Sequence, residues 1–461
     1  MTALSTSGSL RRHIGLAGAI LMGLGSMVGT GVFVSIGIAA GVTGPSVLLA
    51  IALAAVVATC NALSSAQLAA ARPVSGGTYE YGYAFLAPWL GFTAGWMFMF
   101  AKSASAATAA LGFAGYLLHA MDIDGQVIPL ALLAVVALTV IVLNGIRSSN
   151  RANAVIVAVT IAALLAFVLA GVLFASPGWK ANWTPFLSGE APVPGLLEAT
   201  ALMFVAFTGY GRIATLGEEV HEPRITIPKA IVATLWMSAA LYLSVGAVAV
   251  SIVGASRLAG AAQTEVAPLQ IAAEALDGEI LAMVVTVGAI TAMLSVLLNL
   301  ILGLSRMLLA MGRRGDVPSR LSSISAAGTP VPAVIAVAIV IGLLVLVGDV
   351  KLTWSFSAFT VLAYYAITNF AALRLPREQQ MFSPAFAWGG LVSCAFLAFW
   401  VEWKIWVFGL ALIAAGLIWH ATARKLRSAG PNADWEAAAA IEARNPVVAC
   451  RVSGQVIVSK D

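Results

Sequence analysis

The stretch 23–33, GLGSMVGTGVF, places four glycines within nine residues, inside an apolar run that is long enough to cross a membrane. In hydrocarbon every backbone polar group must find a partner within the protein, so a helix is the only single segment that crosses unaided. Glycine loosens a helix, and an unwound segment at membrane depth is tolerated only where its backbone lines a cavity. The stretch therefore predicts a membrane-spanning helix that is interrupted beside a cavity.

A second glycine-rich interruption, FTGYG at 207–211, follows about half a chain later. Two interrupted helices in matching halves of a chain are typical of transporters that bind their substrate near the middle of the membrane. Close packing of helices through small residues is the alternative explanation for either cluster. The presence of both favours a binding site.

The composition excludes a soluble protein. The chain has 461 residues, of which 61% are hydrophobic and only 10% are charged, whereas about a quarter of the residues of an ordinary soluble domain are charged. A helical crossing of the hydrocarbon core needs roughly 20 apolar residues. On this count we predict an all-α membrane protein with twelve transmembrane helices, namely 14–40, 44–70, 88–119, 126–145, 152–175, 195–216, 228–254, 280–311, 331–348, 351–373, 384–401 and 403–423.

The two interruptions divide these spans into repeats. Spans 1–5 and spans 6–10 each begin with a broken helix, and a repeat with an odd number of crossings must return inverted. We therefore predict two inverted five-helix repeats plus two further spans. The predicted segments are a cytoplasmic amino terminus (1–13), the first repeat (14–175), the second repeat (176–373), spans 11 and 12 (374–427) and a cytoplasmic carboxyl-terminal tail (428–461).

The basic residues of the short loops set the predicted orientation. Most of the 25 Lys and Arg residues fall on one side of the predicted spans, and that side is normally cytoplasmic. We therefore predict a multi-pass protein of the inner or plasma membrane with both termini in the cytoplasm. The apolar run after Arg11 and Arg12 carries no convincing cleavage site, which favours an uncleaved first span over a signal peptide.

The interruptions also predict which backbone groups meet a ligand. Unwinding at the first one exposes amides that favour an anion such as a carboxylate, and unwinding at the second one exposes carbonyls that accept from an ammonium. A zwitterion held between them would satisfy both sets of groups. The predicted substrate-binding residues are Met27, Val28, Gly29, Thr30, Gly31, Val205, Phe207, Thr208, Gly209 and Gly211.

Four motifs in order resemble those of amino acid permeases of the amino acid–polyamine–organocation superfamily. They are the first interruption, RPVSGGTYEYGYAFL at 72–86, FTGYGRIATLGEEVHEPRITIPKAI at 207–231 and SRMLLAMGRRGDVP at 305–318. The resemblance implies alternating access around a central amino acid. It implies that the substrate carboxylate meets Gly29, Thr30 and Gly31, and that Phe207 is an aromatic gate.

Two departures from this resemblance bear on the substrate. Relatives that carry cationic amino acids place acidic groups in span 3 and after the second interruption, where this chain has Lys102 and Arg212 instead. A cationic side chain would meet like charge in a medium of low dielectric constant. We therefore predict against arginine and lysine, and we favour neutral substrates with acidic ones as the alternative.

Lys102 lies deep within span 3, where a lysine costs roughly 2.5–3.5 kcal/mol on insertion scales, so a partner or a cavity is expected. It could carry a coupling proton, act as a fixed cation in place of a sodium ion, or simply pair with groups inside the bundle. Some proton-coupled relatives have a lysine in span 5, where this chain has Thr160. We predict Lys102 and Thr160 as ion- or proton-coupling residues, and Phe207, Arg212, Glu218 and Glu219 as gating residues.

Other chemistries find no support in the sequence. No nucleophile–base pair, metal-ligand spacing or phosphate-binding loop stands out, so we predict a transporter rather than an enzyme, without cofactor, metal or nucleic acid. Cys60 and Cys394 are predicted to be packing residues. Proton-coupled uptake of an L-amino acid is the leading prediction, with ion-independent exchange or amine or polyamine transport as alternatives. The sequence leaves any partner subunit undetermined.

Overall fold

The computed structural model describes residues 14–73, 76–123, 125–145, 150–174, 179–187, 191–214, 220–264, 267–276, 278–325 and 328–428. Within these ranges the chain is helical, and the only extended pairing is an isolated bridge between Ile14 and Val220. The predicted gating residues Glu218 and Glu219, the amino-terminal segment and nearly all of the carboxyl-terminal tail lie outside the described residues.

The described helices follow the order of the predicted spans. They are α1 Leu16–Met27, α2 Thr30–Phe33, α3 Ser35–Thr43, α4 Val47–Ala71, α5 Thr78–Phe85, α6 Pro88–Ala120, α7 Val127–Leu143, α8 Asn150–Phe174, α9 Pro192–Phe207, α10 Gly211–Ala214, α11 Pro223–Thr264, α12 Pro268–Glu274, α13 Glu279–Arg314, α14 Val331–Leu346, α15 Val350–Leu373, α16 Pro384–Leu397 and α17 Trp403–Ser428. A single 3-10 turn, Thr208–Tyr210, joins α9 to α10.

Length and hydropathy support a protein that crosses the membrane many times. In the described part of the chain, eight helical stretches are long and apolar enough to span a bilayer. Four further apolar helices, α1, α7, α14 and α16, have 17 residues or fewer. They lie within predicted spans 1, 4, 9 and 11, so the total of twelve spans stays a prediction.

The first interruption lies within the glycine-rich stretch that predicts it. Helix α1 ends at Met27 because Val28 turns to an extended conformation, with φ −81° and ψ 96°. Gly29 follows with φ −171° and ψ −124°, and the helical path resumes at Thr30. The chain is therefore unwound for two residues in the middle of an apolar segment.

The second interruption is milder than the sequence predicts. After α9 the backbone tightens into the 3-10 turn, and Gly211 then takes ordinary helical angles, with φ −53° and ψ −27°. The hydroxyl of Thr208 donates to the carbonyl of Val205 at 2.8 Å, and so does its amide. Because these bonds satisfy the end of α9, full unwinding at 207–211 is a wrong prediction.

A buried polar cluster joins helices at one end of the bundle. We call this end, which contains Glu80, Arg314 and Asp316, the loop side. Asp316 is 4% exposed and accepts hydrogen bonds from the hydroxyls of Tyr79, at 2.6 Å, and Tyr83, at 2.7 Å. Burial, and then the charge of Asp316, raise the pKa of both tyrosines far above its ordinary value. Both hydroxyls therefore remain protonated donors, which join α5 to the end of α13.

Asp316→Ala is expected to destabilise the protein, because it leaves the buried hydroxyl of Tyr79 and the half-buried hydroxyl of Tyr83 without their acceptor. Each such group costs about 1–3 kcal/mol, so the melting temperature of the detergent-solubilised chain should fall clearly. The melting temperature of Asp316→Asn, which keeps one acceptor oxygen, should fall less. Glu378→Ala is the matched control, since Glu378 is exposed. An Asp316→Ala protein that melts like the control would contradict this role.

Candidate functional site

A cavity of about 260 Å³ lies between α1, α6, α13 and the second interruption. It reaches towards the loop side, where Gly76 and Gly77 form part of its wall. Its other lining residues are Gly25, Ser26, Phe98, Lys102, Thr208, Gly209, Gly211, Arg212, Val296, Asn299, Leu300, Gly303, Leu304, Arg306, Met307, Ala310 and Tyr364. The wall therefore combines an apolar surface from α13 with polar backbone and several cations.

A smaller cavity of about 50 Å³ lies beside the first interruption. It is lined by Ser26, Met27, Thr30, Gly31, Lys102, Ser105, Val205, Ala206, Thr208, Val296, Leu300 and Trp354. The two linings share Ser26, Lys102, Thr208, Val296 and Leu300. The two cavities thus meet at these residues, between the two interrupted helices.

The opposite end of the bundle, which we call the far side and which contains His119 and Glu274, is closed by direct contacts. The indole Nε1 of Trp354 donates to the carbonyl of Leu202 at 2.9 Å. The hydroxyl of Tyr116 donates to the carbonyl of Phe33 at 2.8 Å and accepts from the amide of Leu269. These bonds join α15 to α9 and α6 to α2, and among the described residues neither Tyr116 nor Leu269 lines either cavity.

The first interruption leaves unpaired polar groups beside the smaller cavity. Within the described ranges, no protein group accepts a hydrogen bond from the amides of Gly29, Thr30 and Gly31. The Thr30 side chain is 4% exposed, and its hydroxyl has no partner among the described residues. Buried polar groups are nearly always paired, so these groups are suited to a bound ligand.

The carbonyls of both interruptions are less available than predicted. The Tyr242 hydroxyl donates to the carbonyl of Met27 at 2.6 Å and reaches that of Ala206 at 3.2 Å. The Tyr365 hydroxyl donates to the carbonyl of Thr208 at 3.3 Å. The prediction that the carbonyls of Met27 and Thr208 are free is therefore wrong, although the Met27 carbonyl can accept a second hydrogen bond.

Lys102 occupies the junction of the two cavities. Its Nζ donates to the Thr208 Oγ1 at 2.8 Å, so it connects α6 directly to the second interruption. Since Thr208 is a neutral partner, this bond satisfies one donor of the ammonium without compensating its charge. The sequence expectation of a cavity or partner around Lys102 thus agrees with both features.

The predicted substrate-binding residues are brought together with three exceptions. Met27, Thr30, Gly31, Val205, Thr208, Gly209 and Gly211 line the cavities. Val28, Gly29 and Phe207 are not among the lining residues. The Phe207 ring is fully buried and packs against Tyr242, with 5.1 Å between ring centroids. Its role as a gate stays a prediction.

Some of the predicted coupling and gating residues line a cavity and others do not. Lys102 and Arg212 line the larger cavity. Thr160 is buried on α8, where its hydroxyl donates to the carbonyl of Ile156 at 2.8 Å, and it lines neither cavity. Any shared role of Thr160 and Lys102 stays a prediction.

Three aromatic residues, Tyr242, Tyr365 and Trp354, were missed by the sequence predictions. Each donates to a main-chain carbonyl at or near an interruption. They come from α11 and α15, far from the interruptions in the sequence. Their one sequence signal is that each is a polar aromatic residue within an apolar span. A buried hydroxyl or indole there needs a hydrogen-bond partner.

Tyr242→Phe is expected to slow transport, because one hydroxyl bridges carbonyls of both interrupted helices. Loss of a buried hydrogen bond costs about 0.5–1.5 kcal/mol, so the initial rate of uptake should fall several-fold. Tyr83→Phe, which removes a half-buried hydroxyl that donates to Asp316 rather than to a carbonyl of an interruption, is the matched control. Equal uptake by both variants would exclude a special role for Tyr242.

Comparison with known proteins identifies the family. The family model described as amino acid permease matches residues 18–444. The chain belongs to the amino acid permease family. This permease is therefore a multi-pass membrane transporter and not an enzyme, and its family implies an amino acid as substrate.

Three relatives show how the permease compares with curated proteins. It is 40% identical to an uncharacterized transporter of Mycobacterium tuberculosis, covering 88% of this chain and 90% of the relative. It is 29% identical to the branched-chain amino acid permease BcaP of Bacillus subtilis, covering 69% and 71%. It is 28% identical to a methylthioribose transporter of the same organism, covering 70% and 72%.

Proposed function

We propose that this permease is a secondary active transporter that moves an L-amino acid without net positive charge across the cell membrane by alternating access. The observation that carries the proposal is the pair of cavities where both interruptions meet Lys102. Thr30 and Gly31, whose amides have no acceptor among the described residues, line the smaller cavity. In the proposed orientation both termini, and therefore the loop side, lie in the cytoplasm.

The helix packing supports two matching repeats of five spans, which we propose are inverted. If spans 1–5 match spans 6–10, each contact between two spans should recur between their counterparts. Span 1 packs against span 7 (α1 and α3 on α11), and span 6 packs against span 2 (α9 on α4). Span 3 packs against span 10 (α6 on α15), and span 8 packs against span 5 (α13 on α8).

The substrate is proposed to bind through its main-chain groups. Its carboxylate would accept from the amides of Gly29, Thr30 and Gly31 and from the Thr30 hydroxyl. Its ammonium would donate to the Met27 carbonyl, which accepts one hydrogen bond in the described structure. Hydrogen bonds that involve a charged group are about twice as strong as neutral ones, which favours a zwitterion over water at these positions.

Alternating access would exchange the open and closed ends of the cavity. The contacts of Trp354 and Tyr116 close the far side in this structure, while the larger cavity reaches the loop side. Opening the far side requires those bonds to break and the second interruption to move relative to α13. A 3-10 turn in mid-helix often marks such a hinge.

Coupling is proposed to depend on the proton of Lys102. Charged Lys102 donates to Thr208, whereas the neutral amine would weaken that contact between α6 and the second interruption. Protonation would thereby bias the two arrangements, which is what coupling requires. The relatives named as amino acid permeases support the substrate class but leave the coupling ion open.

Uptake of radiolabelled amino acids into proteoliposomes, with and without an inward pH gradient, tests the proposed function. We expect concentrative uptake that depends on the gradient and disappears with a protonophore. Protein-free liposomes are the control for leakage. Absence of uptake and of exchange for every amino acid would contradict the proposal. Exchange that does not depend on the pH gradient would be consistent with amino acid transport but would exclude proton coupling.

A further inference from the structure

We propose that Lys102 recognises a second anionic group on the substrate, so that the preferred substrate is an acidic amino acid. Such a molecule carries one ammonium and two carboxylates. This inference rests on the proposed function and specifies its substrate class. Arg306 is assigned a separate role, which is to attract the anion into the cavity from the loop side.

The ammonium group of Lys102 has no acidic partner among the described residues. It belongs to the lining of both cavities, and its one hydrogen bond in the described structure goes to the neutral hydroxyl of Thr208. An ammonium has three donors, so two remain for a ligand. A buried charge is costly unless it is paired.

The carboxylates of the described chain are positioned elsewhere. Glu80 pairs with Arg314 at 2.7 Å, and Glu274 pairs with His119 at 3.1 Å. Glu198 lies 3.8 Å from Lys351, and Asp316 is occupied by the tyrosines of the loop side. None of the described Asp and Glu residues lines either cavity.

Arg306 adds to the positive charge of the larger cavity. It is exposed on α13 and lines the cavity near its loop side, together with Ala310. A cleft lined by charges of one sign concentrates ligands of the opposite sign and speeds their entry.

A neutral amino acid does not compensate the positive charge of Lys102. Its carboxylate is taken by the first interruption in the proposed pose, and its ammonium then adds one more positive charge near Lys102. An acidic amino acid supplies a second carboxylate at side-chain length from the same main-chain groups. A charge-assisted hydrogen bond to Lys102 would then pair both charges, and low dielectric surroundings strengthen it.

The test compares L-glutamate with L-glutamine, which has the same shape without the charge, in proteoliposomes of the full chain. For the wild type we expect a KM for glutamate that is about tenfold to a hundredfold lower than for glutamine. Lys102→Gln, measured by substrate exchange, should remove this preference by raising the KM for glutamate towards that for glutamine. Lys102→Arg, which keeps the positive charge, should retain it.

The arginine is tested separately. Arg306→Gln should slow glutamate uptake mainly at low ionic strength, where charge steering is strongest. Arg313→Gln is the matched control, since Arg313 is exposed on the same helix but outside both linings. Equal salt dependence in the two variants would overturn the role of Arg306.

Each remaining outcome overturns the inference in a distinguishable way. Uptake of leucine or glutamine without competition by glutamate would contradict the acidic substrate and leave amino acid transport intact. Neutral uptake that needs chloride in the wild type but not in Lys102→Gln would show that Lys102 binds an inorganic anion. No transport of any amino acid would instead defeat the proposed function itself.

Discussion

Gly209→Ala is expected to reduce the initial rate of uptake by at least about tenfold, since overpacking a close contact costs about 1–3 kcal/mol. A methyl group at this position would lie 2.5 Å from the backbone carbon and oxygen of Ser26 and 2.7 Å from Cγ of Met27. Backbone atoms cannot rotate away, so α1 and the second interruption would have to separate. That contact joins the two interrupted helices in the wall of the larger cavity.

The control for this prediction is Gly260→Ala. A methyl group at Gly260 meets no other atom within 4 Å, leaving aside its own chain neighbours and helix backbone. Both variants should yield similar amounts of monodisperse protein, which separates a transport defect from misfolding. Normal uptake by Gly209→Ala would show that the contact with Ser26 is not needed for transport.

Lys102→Gln is expected to abolish accumulation driven by a pH gradient while exchange of the substrate across the membrane continues. A gradient of about one pH unit supports about tenfold accumulation for one coupled proton, and the variant has no proton to release at this position. Accumulation and exchange are measured at substrate concentrations that saturate each variant. This condition removes the effect of altered affinity.

Lys102→Arg separates coupling from recognition. An arginine remains protonated at any pH used for transport, so this variant should lose coupling in the same way as Lys102→Gln. It should nevertheless keep the preference for glutamate. Full pH-driven accumulation by either variant would exclude Lys102 as the proton carrier.

The location of the site was predictable because it follows from local rules. A glycine cluster in an apolar span has few explanations, and Val28 and Gly29 do leave the helix there. Lys102 was predictable for the same kind of reason, since a deep lysine in a span needs a cavity or a partner. The family motifs then place both features in one fold.

The hydrogen-bond partners of the individual backbone groups were not predictable. The carbonyls of Met27 and Thr208 are hydrogen-bonded by Tyr242 and Tyr365, which come from spans that are distant in the sequence. Thr208 caps its own helix, so the second interruption tightens where the glycines suggested unwinding. Such pairings depend on three-dimensional packing, which spacing along a single chain does not specify.

The order of substrate preference also changes when the cavity is considered. From the sequence, two cations near the site disfavour cationic substrates, and neutral substrates are preferred to acidic ones. The structure adds that Lys102 has a neutral partner and that Arg306 lines the same cavity. We therefore place acidic substrates ahead of neutral ones, which reverses the sequence-based preference.

The central claim is that the substrate occupies the cavities between the interrupted helices, and protection of a cysteine there tests it most directly. Ser26 lines both cavities, so Ser26→Cys is introduced after Cys60, Cys394 and Cys450 have been replaced. Ser319→Cys, at an exposed position, is the control. The transported amino acid should slow alkylation at position 26 and leave position 319 unchanged. Undiminished alkylation at position 26, under conditions where transport is saturated, would contradict the account.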